Sequence, residues 1–335
     1  MKILMASEFS YPHIGGIETV TEYLADEFVR MGHEVKIITT TVECGDKNFS
    51  FEVLRKPTKK AFWKAYSWCD VYVHQGISLK RVWPLLLKHK PLFIVYHQVF
   101  YQSGFLGKIK KICSYFSHAI AVSETTRRGY GLKNADVILN SYDSERFRLL
   151  NDSMRKDFVF VGKLTRTKGV HLLIQAFDKF KASTGSAWKL TLIGGGEEDI
   201  MNEYINASSY KSDINMLGFK YSKEIVEILN QHQVQIVPSL APEAFGVVVL
   251  EGMACGCVVI GSDGDGIKEA MGEAGFSFEK GNIESLAKAM EKAYNMNYVD
   301  YQNQKDLMHK RLEELSLRNV AERYIQLFER YTKKS

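Results

Sequence analysis

The chain lacks the features that mark exported, fibrous and membrane-spanning proteins. Its five cysteines, Cys44, Cys69, Cys113, Cys255 and Cys257, are odd in number and form no ladder of spacings. That excludes a disulfide framework and predicts reduced thiols in a cytoplasmic protein. Six prolines and 25 glycines in 335 residues leave no collagen-like or low-complexity tract. No apolar run approaches the roughly 20 residues that span a bilayer. The opening Met1-Lys2-Ile3-Leu4-Met5-Ala6-Ser7-Glu8 is too short and too soon acidic to read as a signal peptide. Acid is also scarce in one place. Between Arg55 and Lys111 stand 12 Lys/Arg and a single acid, Asp70.

What remains is an ordinary soluble composition, 45% hydrophobic and 25% charged, in a chain long enough for two domains of about 150 residues. The net charge of +5 is unevenly divided. Residues 1–150 carry 21 basic and 14 acidic residues, whereas residues 151–335 carry 23 and 25. A basic stretch is either a solvated face or a surface that meets an anion, and the near absence of acid favours the second.

Hydrophobic periodicity alternates between strand and helix. Lys2–Ala6, Glu34–Thr40, Asp70–His74, Leu92–His97, His118–Val122 and Asp136–Leu139 are short apolar runs, and Gly16–Met31 has helical spacing. The pattern restarts with Asp157–Val161, a helix over Val170–Phe180, and strands at Lys189–Ile193, Ile214–Leu217, Gln235–Val237 and Val258–Ile260. From Ile283 to about Tyr331 the pattern is helical throughout. Two successive α/β units predict two doubly wound parallel sheets. The boundaries are residues 1–152, residues 153–315, and a C-terminal helix over 316–335 that could pack back on the first domain. Ligands in such sheets sit outside the carboxyl ends of the strands, in a cleft where two sheets face each other.

Four loops there carry chemistry. Gly15-Gly16 opens a helix after the first strand, either as a plain turn or as a loop whose N–H groups approach an anion. Lys163 and Lys168 flank a second strand-to-helix loop and suit a diphosphate, although surface lysine pairs are common. Glu243 and Glu251 have seven residues between them, and Glu251 lies inside the apolar run Phe245–Ala254, where an acid needs a partner. Vicinal hydroxyls of a sugar or ribose are such partners. His97 ends a buried-looking strand and is either a core histidine or a cleft group, and His74 is a weaker candidate of the same kind.

In order along nearly the whole chain, these residues resemble the large family of retaining GT-B glycosyltransferases with a Glu-x7-Glu signature (glycosyl transferases group 1, family 4). The resemblance rests on Gly15-Gly16-Ile17-Glu18, His97, Val122-Ser123 and Val137-Ile138-Leu139-Asn140 with Asp143 and Phe147. It continues through Gly162-Lys163-Leu164, Lys168-Gly169, Gly194-Gly195-Gly196-Glu197 and Glu243-Ala244-Phe245-Gly246 with Glu251. It implies two Rossmann-like domains, an N-terminal one for the acceptor and a C-terminal one for the nucleotide sugar. Gly15, Gly16, Lys163 and Lys168 would meet the diphosphate. Glu243, with the backbone of Ala244, Phe245, Gly246 and Val247, would hold donor sugar and phosphate, and Glu251 would hold the ribose. His97, Glu243, Lys163 and Lys168 form the implied catalytic set, with no metal and no cofactor.

The implied reaction moves a hexose from a UDP-sugar to a saccharide or lipid-linked glycan in envelope or extracellular polysaccharide synthesis. A nucleotide-sugar 2-epimerase, a phosphorylase or an inactive sugar-nucleotide-binding protein on the same fold are the alternatives. Four departures from the family pattern fall at five positions: Lys163 for arginine, Ser141 in Asn140-Ser141 for Asn-Gly, Gly252 and Cys257 for alanine and proline, and Asp265 within a usual glycine pair.

The basic window falls on the acceptor side. Residues 105–116, with Lys108, Lys110 and Lys111, read as an amphipathic helix, either a core helix or one that meets an anionic membrane. Trp63 and its neighbouring aromatics add amphipathic rings. The expected location is the cytoplasm, peripheral on the inner face of the cytoplasmic membrane. Nucleic acid is not an expected partner, since no recognised binding module is present.

Overall fold

The computed structural model describes residues 1–13, 15–43, 47–76, 78, 81, 83–99, 117–151 and 155–332. Lys108, Lys110, Lys111 and the expected helix over 105–116 lie outside these residues, as do Cys44 and Cys113. The chain divides into two compact units. One is Met1–Ser141 with Leu315–Ser335, and the other is Tyr142–Glu314. The division falls earlier than residue 152 because the segment after Ser141 is tied to the second unit. The Leu150 N–H donates to Asn230 Oδ1 at 2.7 Å, and Asn230 Nδ2 donates to the Arg148 carbonyl at 3.0 Å.

Among the described residues of the first unit, seven strands form one parallel sheet in the order β3-β2-β1-β4-β5-β6-β7. They are β1 (Lys2–Ala6), β2 (Glu34–Thr39), β3 (Glu52–Arg55), β4 (Val71–Gln75), β5 (Leu92–Tyr96), β6 (His118–Ala121) and β7 (Asp136–Val137). The central strands β1, β4 and β5 are almost wholly buried because helices cover both faces. On one face Leu4, Tyr72, Ile94 and Tyr96 pack against Phe62 and Tyr66 of the Lys59–Trp68 helix. The Gly16–Arg30 helix presents Leu24 and Phe28 to its core. The Leu317–Thr332 helix brings Tyr324 and Phe328 against Phe28, and Phe328 against Phe93 at 4.6 Å between ring centres.

The second unit repeats the plan, with six strands in the order β10-β9-β8-β11-β12-β13. These are β8 (Lys156–Val161), β9 (Leu190–Ile193), β10 (Ile214–Met216), β11 (His232–Val237), β12 (Val258–Ser262) and β13 (Phe276–Phe278). Strand order reverses between β1 and β4 in one sheet and between β8 and β11 in the other, so each unit has a switch point, the place at which open α/β sheets bind ligands.

Several boundaries differ from the sequence reading. β3 and β13 are short strands at sheet edges that the sequence reading passed over, and β11 starts three residues before Gln235 because His232 and Gln233 are buried polar residues inside it. The C-terminal stretch is three helices, Ile283–Tyr294, Tyr298–Glu314 and Leu317–Thr332. Asn297 starts the second by accepting from the Asp300 N–H, and Ser316 starts the third by accepting from the Asn319 N–H. No helix among the described residues is long and apolar enough to cross a membrane.

Candidate active site

The loop after β8 is shaped by backbone demands. Gly162 has φ 152°, and the Thr165 side chain caps a short 3-10 turn over Arg166–Lys168. Gly169 follows with φ 73°. A Cβ at Gly169 would stand 2.0 Å from the Pro238 carbonyl, so only glycine lets this loop rest on the loop after β11. The N–H groups of Leu240 and Ala241 both donate to the Thr167 carbonyl, at 2.9 and 3.0 Å. The two loops that flank the switch point of the second sheet are thereby joined.

That interlock brings Lys168 and Glu243 together. Lys168 Nζ forms an ion pair with Glu243 Oε1, and Ser239 Oγ donates to the same oxygen at 2.9 Å. Lys163, on the same loop, is exposed. Phe245 is buried and anchors the segment. Gly246, with φ 90°, turns the chain into the Val247–Ala254 helix, whose first N–H groups have no intrahelical acceptor. Ala244, Gly246 and Val247 therefore lie on the approach to a helix N-terminus.

Asp265, which breaks the family's glycine pair, has a structural task. Its Oδ1 caps the Gly266–Met271 helix by accepting from the Ile267 N–H at 3.1 Å. Its Oδ2 accepts from the Glu243 N–H at 3.3 Å and pairs with Lys280. The Gly266 N–H returns a bond to the Glu243 carbonyl at 3.1 Å. Glu243 is thus pinned through its backbone by Asp265 and through its side chain by Lys168 and Ser239. Asp263-Gly264-Asp265 is an Asp-x-Asp triplet in sequence. Ser239 is a site member that the sequence analysis does not single out, and for Asp265, noted there as a departure, the capping and backbone contacts are new. Pro238-Ser239 just past a strand end was the available signal for the first, and an aspartate before a helix start was the signal for the second.

Glu251 lies one and a half turns into the Val247–Ala254 helix, with Asp143 and Arg146 as its charged neighbours. Burial pushes its carboxyl up to about 7, with Arg146 opposing and Asp143 adding to the shift. Asp143 and Arg146 pair at 3.2 Å. Arg146 also lines a groove of about 490 Å³ with Leu150, Tyr221 and Val226.

Two further departures have local reasons. Gly252 lies against Gln235, where a Cβ would be 1.7 Å from Oε1. The Cys257 N–H donates to the Gly252 carbonyl at 2.9 Å, a bond that proline cannot make. Ser141 Oγ donates to the Leu315 carbonyl at 2.7 Å, fastening the returning C-terminal segment.

In the first unit, Gly15 is the extended N-cap of the Gly16–Arg30 helix. The preceding loop is held by buried Glu22, which accepts from Ser10 Oγ at 3.2 Å and the Tyr11 N–H at 2.9 Å, and pairs with Lys47. His97 follows β5 and sits 2.7 Å, through Nε2, from Gln75 Oε1 at the end of β4. Burial lowers its pKa to about 4, so the ring is neutral at pH 7.

His74 is a correction. It is wholly buried with its ring edge-on to Tyr72 at 4.5 Å, inside the sheet core rather than at its rim. Trp63 is half-buried and stacks on Trp83 and Tyr66 at 6.1 and 5.9 Å, as part of the packing around the first core. In the basic window, Lys56, Lys59, Lys60, Lys64 and Lys88 are exposed. Arg81 is not: it is buried, donating from Nη1 to the Ser7 carbonyl at 2.7 Å.

Comparison with known proteins agrees with this architecture. A family model described as Glycosyl transferases group 1 matches residues 141–310, and one described as Glycosyltransferase Family 4 matches residues 14–146. The chain is 23% identical to the phosphatidylinositol N-acetylglucosaminyltransferase gpi3 subunit of Schizosaccharomyces pombe, over 95% of this chain and 78% of that protein. It is 30% identical to the capsular polysaccharide biosynthesis glycosyltransferase CapM of Staphylococcus aureus, over 67% of this chain and only 60% of CapM's own length. Its fold is similar to that of Anabaena HepE, solved in complex with UDP. That likeness has a TM-score of 0.80 at 16% identity and covers 98% of this chain and 100% of HepE. With one family model covering half of the chain and a second covering most of the rest, this GT-B-fold protein belongs to the glycosyl transferases group 1 family.

Proposed function

We propose that the chain is a retaining hexosyltransferase that moves a hexose from a UDP-sugar to a saccharide or lipid-linked glycan. The observation that carries this reading is the junction of Lys168, Ser239 and Glu243 at the switch point between β8 and β11. A cation beside a carboxylate and a hydroxyl matches the two chemistries of a sugar nucleotide, an anionic diphosphate and a neutral polyol. The HepE complexes with UDP and with UDP-glucose support a uridine donor. The names of the fission-yeast and staphylococcal relatives support a lipid-linked or polysaccharide acceptor. The exposed lysines of the first unit suit an anionic acceptor surface.

In this reading, departure of the diphosphate develops negative charge, which Lys168, Lys163 and the N–H groups opening the Val247–Ala254 helix stabilise. Lysines serve here in place of a resident metal ion, a division supported by Asp265 being engaged by Lys280 and the Glu243 N–H. Glu243 accepts from donor-sugar hydroxyls, and Glu251 from the ribose diol. The bond from the anomeric carbon to the phosphate oxygen breaks, and the bond to the acceptor oxygen forms on the same face. The acceptor's proton passes to the departing phosphate oxygen. Neutral His97 orients a sugar hydroxyl.

The test combines UDP binding with turnover of UDP-glucose on a lipid extract containing anionic phospholipid. Glu251→Ala should weaken UDP binding at least roughly tenfold, the loss of a charge-assisted hydrogen bond or two. Glu243→Ala should keep UDP bound while turnover collapses, and wild-type turnover should fall as salt rises. Equal loss of both properties in both variants, or inversion at the anomeric carbon in the product's NMR spectrum, would contradict the reading.

A further inference from the structure

Strands β4 and β5 are adjacent and in register, with Gln75 opposite Val95. His97 lies two residues beyond Val95, so its ring returns to the face on which Gln75 stands. Gln75 is buried, and its carboxamide oxygen lies 2.7 Å from His97 Nε2. With the carboxamide oxygen placed there, the contact is a hydrogen bond only when Nε2 carries the ring proton and Nδ1 is bare. The amide nitrogen of Gln75 is buried without a partner, so the bond to His97 is the only one the described structure gives this side chain.

We propose that Gln75 is a positioning residue: it locks His97 in the Nε2–H tautomer and so presents Nδ1 as a hydrogen-bond acceptor for a substrate hydroxyl. The inference rests on the hexosyltransferase reading for the identity of that hydroxyl, but not for the tautomer. It makes His97 an acceptor of a sugar O–H rather than a donor to phosphate. Burial holds the ring neutral at pH 7, so the tautomer is the property that remains to be set.

Nitrogen-15 NMR of the histidine ring in the full chain tests the first step. Wild type at pH 7 should show an unprotonated Nδ1 and a protonated Nε2 at His97. Gln75→Leu should give mixed tautomers. Gln75→Glu keeps the acceptor but adds charge, and it should keep the tautomer while raising the ring's pKa. With UDP-glucose as the donor probe, Gln75→Leu should lower kcat roughly threefold to tenfold. Gln75→Glu should recover it at high pH and shift the acid limb of the pH profile upward. An Nδ1–H tautomer in wild type, or one unchanged in Gln75→Leu, overturns the proposal whatever the activity. The expected tautomers with both variants matching wild-type kcat and pH profile also overturn it, because His97 would then serve structure only. Absence of any UDP-glucose binding in wild type defeats the hexosyltransferase reading, and with it the assigned hydroxyl.

Discussion

The Glu251 carboxyl is half-buried and the His74 ring wholly buried, and removal from water moves the acid and the base in opposite directions. The Glu251 carboxyl is raised from 4.5 to about 7 and the His74 ring is lowered from 6.5 to about 3, the latter helped by nearby Arg81. For Glu251 the native state holds the proton that the unfolded chain releases between these values. Its contribution to stability is therefore complete below 4.5 and lost as the pH rises through about 7. For His74 the unfolded chain holds the extra proton, so its contribution is present above 6.5 and lost as the pH falls toward 3. The neutral isostere Glu251→Gln should escape the first loss. In urea titrations its advantage over wild type should grow between pH 4.5 and 8, by on the order of 3 kcal/mol for a shift of this size. Parallel stability curves for the two proteins would show that Glu251 is not held in a desolvated site.

The Val247–Ala254 helix shows how an element accommodates one unusual neighbour. Alanine is the better helix former by about 1 kcal/mol, yet Gly252 faces a wholly buried Gln235 carboxamide that a Cβ would strike. Gly252→Ala should lower stability by roughly 1–3 kcal/mol, as overpacking does. The same change in a Gln235→Ala background should be neutral or stabilising. A thermodynamic cycle from denaturant midpoints reads the coupling, and additive effects would remove the steric account.

The same elements show what was legible beforehand. Strands such as Leu92–Tyr96 were plain because continuous apolar runs identify a sheet covered on both faces. Edge strand Glu52–Arg55, half-exposed and with charged ends, carries no such mark. The front of His232–Val237 was concealed by polar residues that are nonetheless buried. In the site, the glutamate spacing and the lysines were visible as local pattern. The roles of Ser239, Asp265 and Gln75 were not, since each acts on a residue brought near only by the crossing of loops or the pairing of strands.

At the scale of the molecule, the first unit is built from both ends of the chain. The Leu317–Thr332 helix supplies Tyr324 and Phe328, both buried, to a face formed by Phe28 and Phe93. Removing such an aromatic from a core costs about 3–5 kcal/mol. Deleting residues 315–335 removes two at once and uncovers their partners, so the first unit should unfold while Tyr142–Glu314 remains folded. Hydrogen exchange would read this as lost amide protection in β1 and β5 with protection kept in β8, β11 and β12. Retained protection in β1 and β5 would show that the helix is dispensable.

This arrangement also inverts the order of events at the ribosome. Although the first unit's sheet is translated first, its Leu317–Thr332 covering helix is translated only after the second unit. The 173 residues of the second unit emerge in between as one continuous segment, complete before the helix arrives. The nascent chain therefore carries a finished C-terminal half and an N-terminal half with a bare aromatic face. During synthesis a bare face of this kind is an aggregation hazard, and emergence of the Leu317–Thr332 helix, rather than of the sheet, sets the moment at which the first unit can close.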